Sequence, residues 1–190
     1  MPKINSKFFS ICEKDPTEKE LFDALKGMEN NKTPGNDGLT KEFYECFWTN
    51  IKNTFKNSLR ESKTNGSLSI SQRQAVIKLL EKKDRDKRFI KNWRPIYLLN
   101  VDTKIISKVF AEKLKETLPS LISPHQTAYV KNRCINESGK LISDIIEVSD
   151  QLNIPGYLVT MDIERAFDSL DHNFLLNVLK NFGFGKNFIK

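Results

Sequence analysis

Gln74-Ala75-Val76-Ile77-Lys78-Leu79-Leu80 and Trp93-Arg94-Pro95-Ile96-Tyr97-Leu98-Leu99-Asn100 bracket a charged stretch, and their pairing decides the fold. Neither run has a helical period, and Val76, Ile77, Ile96 and Tyr97 are residues that suit a pleated, half-buried surface. Two such runs around a polar connection predict a β-hairpin. Its tip carries Lys82, Lys83, Arg85, Lys87, Arg88, Lys91 and Arg94 against Glu81, Asp84 and Asp86. The plain reading of such a run is a solvated loop; the functional one is a phosphate grip, with Arg94 offering a planar fork.

Upstream of the hairpin the chain reads as helical. Asp15-Pro16-Thr17-Glu18 predicts a helix start, with Asp15 as the cap and Pro16 in the first turn. Leu21, Leu25 and Met28 then fall on one face. The polar loop Asn30 to Gly38 stops that helix. A second helix is expected from Thr40, with Phe43, Phe47, Ile51, Phe55 and Leu59 at four-residue steps and Trp48 beside them.

Downstream, Asp102 predicts the cap of a helix carrying Ile105, Ile106, Val109, Phe110 and Leu114, ended by Pro119. A loop with Pro124 and His125 leads to Tyr129. Another helix is expected over Leu141, Ile145, Val148 and Leu152, broken by Pro155-Gly156. Tyr157-Leu158-Val159-Thr160-Met161 reads as a short buried strand that delivers Asp162. The tail from Asp171 is helical, with Leu175, Leu179 and Phe182 on one side. The fold class is α+β, with helices packed on a mainly antiparallel sheet.

Composition narrows the classes. The 190 residues carry 31 Lys+Arg against 24 Asp+Glu, a net charge of +7, which permits a phosphate-bearing partner without demanding one. No apolar run approaches the roughly 20 residues of a bilayer span, so no membrane partner is expected. Thirteen Phe, two Trp and four Tyr exclude wholesale disorder. Three cysteines without metal spacing imply reduced thiols, and the N-terminus lacks an apolar signal region. The expected location is intracellular, in nucleus or cytoplasm.

Asp162 is the most informative single residue. A carboxylate at the end of an apolar strand needs a positive partner, and phosphoryl-transfer enzymes place carboxylates there for magnesium. The plainer reading, a strand end or turn cap, stands ahead on residue chemistry alone. Glu164, Asp168 and Asp171 lie nearby, the last two with the character of turn and cap residues. His125 and His172 have no ligand spacing.

Order along the chain adds what single motifs lack. Lys32-Thr33-Pro34-Gly35-Asn36-Asp37-Gly38, Glu42-Phe43-Tyr44, Asn92-Trp93-Arg94-Pro95-Ile96-Tyr97-Leu98-Leu99-Asn100, His125-Gln126-Thr127-Ala128-Tyr129-Val130-Lys131-Asn132-Arg133 and Asp162-Ile163-Glu164-Arg165-Ala166-Phe167-Asp168 follow in series. This series resembles the reverse transcriptases of non-long-terminal-repeat (LINE-type) retrotransposons, over residues 15–188. The Lys32–Gly38 loop and the Asn92–Asn100 motif favour this kind over intron-encoded or retron enzymes.

The resemblance implies a right-hand polymerase: residues 1–14 as an N-terminal extension, 15–120 as fingers and 121–190 as a partial palm. It matches Asp162 to a metal-binding aspartate, Ile163 to the neighbour whose carbonyl joins the metal shell, and Phe167 to the gate beneath the incoming sugar. Lys82 and Arg94 match positions that contact the triphosphate. Lys83, Arg85, Arg88, Gln126 and Arg133 are candidate nucleic-acid contacts. The implied partners are an RNA template, a DNA primer and deoxynucleoside triphosphates, with magnesium as cofactor. Departures are Ala128-Tyr129 for a usual Gly-Phe, Asn132 for Gly, Tyr97 for Ser and Glu81 for Pro.

No Asp-Asp pair follows Asp162, so the family's Tyr-x-Asp-Asp carboxylates are not among these residues. The expectation is a fingers and partial-palm fragment, inactive alone, whose missing palm and thumb lie downstream. The alternatives are a non-catalytic remnant binding RNA or an RNA–DNA hybrid, and a pseudogene product.

Overall fold

A computed structural model of the protein describes residues 2–163 and 166–189. Its helices are α1 (Ser6–Glu13), α2 (Glu18–Lys26), α3 (Lys41–Cys46), α4 (Trp48–Asn65), α5 (Val101–Leu121), α6 (Ile135–Gln151), α7 (His172–Phe182) and α8 (Lys186–Ile189). Between α4 and α5 lie β1 (Ala75–Glu81) and β2 (Trp93–Leu99), an antiparallel pair. The fold is α+β. The chain divides into two compact units, Asp15–Ala111 and Met1–Lys14 with Glu112–Ile189.

In the 15–111 unit, α2 starts two residues later than Asp15-Pro16 suggests. Thr17 is the cap: its hydroxyl accepts from the Glu20 N–H at 3.2 Å, and the Glu20 carboxylate accepts from the Thr17 N–H at 2.7 Å. This reciprocal pair satisfies two otherwise orphaned donors, which a cap at Asp15 would not do. Asp15 instead pairs with Lys63. Leu21 and Leu25 are fully buried and Met28 packs on the same core.

Thr40 caps the next helix as expected, but that helix breaks at Phe47 into α3 and α4. Tyr44, Trp48 and Phe55 enter the core, while Phe43 and Phe47 stay 36% and 46% exposed. A strict four-residue step drifts about 40° around a 3.6-residue helix each time, so five such residues cannot share one buried face. The core closes with Val101, Ile105, Ile106 and Val109 of α5.

The hairpin is present with register Ala75↔Leu99 through Glu81↔Trp93. Asp102 sits inside the first turn of α5 rather than capping it. Its carboxylate accepts from the Gln72 side chain at 3.0 Å and from the Thr103 N–H at 2.6 Å. Pro119 does not end α5, which runs to Leu121. So close to a C-terminus the lost N–H costs little, and Arg133 donates to the Pro119 and Ile122 carbonyls, acceptors at the helix end.

In the other unit, α1 is capped by Asn5, and Ile4 donates its N–H to the Phe182 carbonyl at 2.8 Å. The Glu13 carboxylate accepts the Asn187 and Phe188 N–H groups at 3.1 Å each. Cys12, Leu121 and Phe184 form a small core there. Asp171 caps α7, accepting from the Phe174 N–H at 2.7 Å, as its position suggests. Helix α6 forms where expected but buries none of its residues.

The strand expected over Tyr157–Met161 is not formed, and Tyr157 and Met161 are 99% and 91% exposed. A strand exists only against a ladder partner, and β1 and β2, the strands among the described residues, pair with one another. Among those residues no helix is long and apolar enough to cross a membrane.

Candidate nucleotide and nucleic-acid interface

The hairpin arranges the basic residues by its two-residue period. Arg94 lies opposite Leu80, and the ladder continues one step outward with the Lys82 N–H donating to the Asn92 carbonyl at 2.9 Å. Lys78, Leu80 and Lys82 therefore share a face with Arg94 and Ile96. Lys82 and Arg94 are diagonal neighbours across the ladder, within reach of one anionic group. The opposite face carries Ile77, Leu79 and Tyr97, all more than 40% exposed.

The tip is held by its own backbone. Trp93 donates its ring N–H to the Lys87 carbonyl at 2.9 Å, and the Asn92 amide donates to the Asp86 carbonyl at 2.7 Å. Lys82 Nζ donates to the Lys91 carbonyl at 2.8 Å. Arg88 forks onto Asp86, and that bond holds the Asp86 carboxyl below its usual range. Lys87 pairs with Glu81 at 2.6 Å. Lys83 and Arg85 are exposed at the turn.

A tie not visible in the residue pattern fixes the hairpin's base. Asn100, 1% exposed, accepts the Asp37 N–H at 3.4 Å and donates to the Ser71 carbonyl and hydroxyl at 3.1 and 3.2 Å. Gly35 lies so close that a Cβ there would stand 2.5 Å from the Asn100 nitrogen and overlap its side chain. The loop that reads as a mere turn is thus pinned to the end of β2. Tyr44 is buried beside it, and burial first, then Asp102 and Asp37, pushes its hydroxyl well above the ordinary value. Pro34-Gly35 and an asparagine at a strand–helix junction were the available signals.

The Gln126–Arg133 loop is similarly locked. Arg133 donates to the carbonyls of Pro119, Ile122, Ser123 and Gln126, at 3.1, 3.0, 2.5 and 2.7 Å. Its guanidinium thus organises the loop and the end of α5. The Gln126 amide donates to the Ala128 carbonyl at 3.3 Å. Tyr129 and Asn132 have φ of +61° and +62°. Asn tolerates that region, and a 95% exposed tyrosine there is unusual.

Asp162 and Ile163 lie in an exposed segment outside helix and strand, and Phe167 is 91% exposed in a turn. Glu164 and Arg165 lie outside the described residues. Among the described residues no three His, Cys, Asp or Glu side chains converge as a metal site. One carboxylate and one carbonyl do not fit a magnesium pair, which needs several oxygens in fixed geometry. No metal-dependent step follows from the described donors alone. Lys82 and Arg94 belong to the 15–111 unit, and Asp162 to the other.

The chain belongs to the reverse transcriptase (RNA-dependent DNA polymerase) family, which matches residues 80–190, and within it to the LINE-type retrotransposon enzymes. It is 38% identical over 189 residues to the Xenopus laevis "Transposon TX1 uncharacterized 149 kDa protein", covering 100% of this chain and 14% of that protein. It is 26% identical over 156 residues to the "Retrovirus-related Pol polyprotein from type-1 retrotransposable element R1" of Bradysia coprophila, covering 80% and 15%. The chain therefore spans about one seventh of the length of these relatives.

Proposed function

We propose that these residues are the fingers (15–120) and the start of the palm (121–190) of an RNA-directed DNA polymerase that extends a DNA primer on an RNA template. The observation that carries this is the diagonal placement of Lys82 and Arg94 on one hairpin face. Two cations at that spacing suit the triphosphate of an incoming deoxynucleotide, because a polyanion is steadied by fixed donors aimed at its oxygens. Phe167 is assigned to the sugar of that nucleotide. Asp162, with the Ile163 carbonyl, is assigned to magnesium in the complete enzyme, with the other carboxylates supplied by the longer polypeptide.

Alone, the chain is proposed to bind nucleic acid without polymerising, because its described donors do not form a metal site. A primer-extension assay on the 190 residues should show no magnesium-dependent synthesis, and synthesis would overturn this part. In a polypeptide of the relatives' length, Arg94→Ala or Lys82→Ala should raise KM for deoxynucleotides about tenfold or more, as loss of a charge-assisted hydrogen bond does. Unchanged KM in both variants would remove the hairpin from triphosphate binding.

A further inference from the structure

Within the 15–111 unit an open cavity of about 320 Å³ lies between the end of α2, the following loop, the start of α3 and the first half of α5. Its walls include Lys32, Thr33, Lys41, Lys104 and Lys108, with Glu29 the lone acid among them. Concave walls of one sign focus potential and concentrate counter-ions. Glu29 pairs with Lys32 and Glu45 with Lys41, and the charges of Lys104 and Lys108, with no carboxylate paired to either among the described residues, leave the cavity net positive and suited to an anion.

The lysines differ in how firmly they are placed. Lys41 is 6% exposed and fixed, its Nζ bonded to the Asn30 side-chain oxygen at 2.6 Å and to Glu45 at 2.7 Å. Lys108 donates to the Gly27 carbonyl. Lys104 stands one turn before Lys108 on the same face of α5 and has no ion-pair partner among the described residues. Lys32 pairs with Glu29 at 2.8 Å, both side chains well exposed, and a pair so placed is easily exchanged for a stronger anion. The Thr33 hydroxyl adds a donor beside them.

We propose that this cavity is a phosphate site for the backbone of a nucleic-acid strand. The anion class follows from the lysines. The choice of a strand over free phosphate rests on the reading of the chain as a polymerase piece, and on continuity: Lys32 and Thr33 precede the Gly35–Asp37 segment that Asn100 pins to the hairpin's base. A lysine that neutralises one phosphate carries no base information and acts through counterion release.

The test is fluorescence anisotropy of a labelled single-stranded RNA with the 190-residue chain across a salt series. Lys104→Gln and Lys32→Gln are compared with Lys180→Gln on α7, with circular dichroism to confirm folding. Lys104→Gln and Lys32→Gln should each weaken binding several-fold for any sequence and lower the log–log salt slope by about 1, while Lys180→Gln leaves both unchanged. If the unsubstituted chain binds RNA but neither cavity variant changes affinity or slope, the cavity proposal is overturned and the polymerase reading stands. If the chain binds no RNA at low salt, both fall. A second arm titrates inorganic phosphate while following the amide resonances of Thr33 and Lys104. Saturable shifts there with unaltered RNA binding would mean a site for free phosphate, which also overturns the proposal.

Discussion

The core of the 15–111 unit and helix α6 have the same kind of sequence but opposite outcomes. Leu21 and Leu25 on α2, and Ile105 and Val109 on α5, lie at helical spacing and are buried. Ile142, Ile145, Ile146 and Val148 also lie at helical spacing, and all remain between 39% and 57% exposed. Periodicity states which face of a helix is apolar, whereas burial requires a second surface to meet it. In the first unit α2, α4 and α5 supply those surfaces to one another. The apolar stretch leading to Asp162 behaves like α6, since it has the composition of a strand and no ladder partner among the described residues.

This contrast can be broken by experiment. The largest effect is expected at Leu25→Ala, which should cost about 2–5 kcal/mol in urea unfolding followed by far-ultraviolet circular dichroism, which reports on the helices of both units. Ile145→Ala, the matching truncation on α6, should change stability by no more than about 0.5 kcal/mol. Equal costs would mean that α6 is packed in solution. Gly35→Ala comes next, at about 1–3 kcal/mol, because its Cβ collides with backbone that cannot yield as a flexible side chain would. Little change in the midpoint would show that the loop is not held against Asn100.

The smallest effect is a pH-dependent one at Glu45→Gln. Hydrogen bonds from Lys26, then Lys41, hold the Glu45 carboxyl below its usual range. A lowered carboxylate value stabilises the folded state above the unfolded value, about 4.3, and that contribution is lost as pH falls through the folded value. The melting temperature of the unsubstituted chain should therefore exceed that of Glu45→Gln at neutral pH, and the gap should close below about pH 4. A gap that persists in acid would remove the ionised pair as its cause.

Local chemistry made much of the fold legible. The hairpin followed from β-branched runs around a polar connection, and the α7 start from Asp171. The α2 face followed from Leu21, Leu25 and Met28. Errors fell where alternatives lay within a residue or two, as at Thr17 against Asp15, or where a spacing drifted, as across Phe47. The ordered motifs made the family legible. The Asn100–Gly35 tie and the lysine cavity were not, because their members are brought together from segments some seventy residues apart in the chain.

The amino-acid sequence by itself determined most of the helices, the hairpin with its basic character and the kinship with reverse transcriptases, because these depend on neighbours along the chain and on motif order; the strand expected over Tyr157–Met161 failed for want of a ladder partner. Only the tertiary structure decided which apolar faces are covered, which glycine must stay bare and which lysines converge. Those outcomes depend on surfaces meeting in space, and a residue's contribution is realised only when its partner arrives.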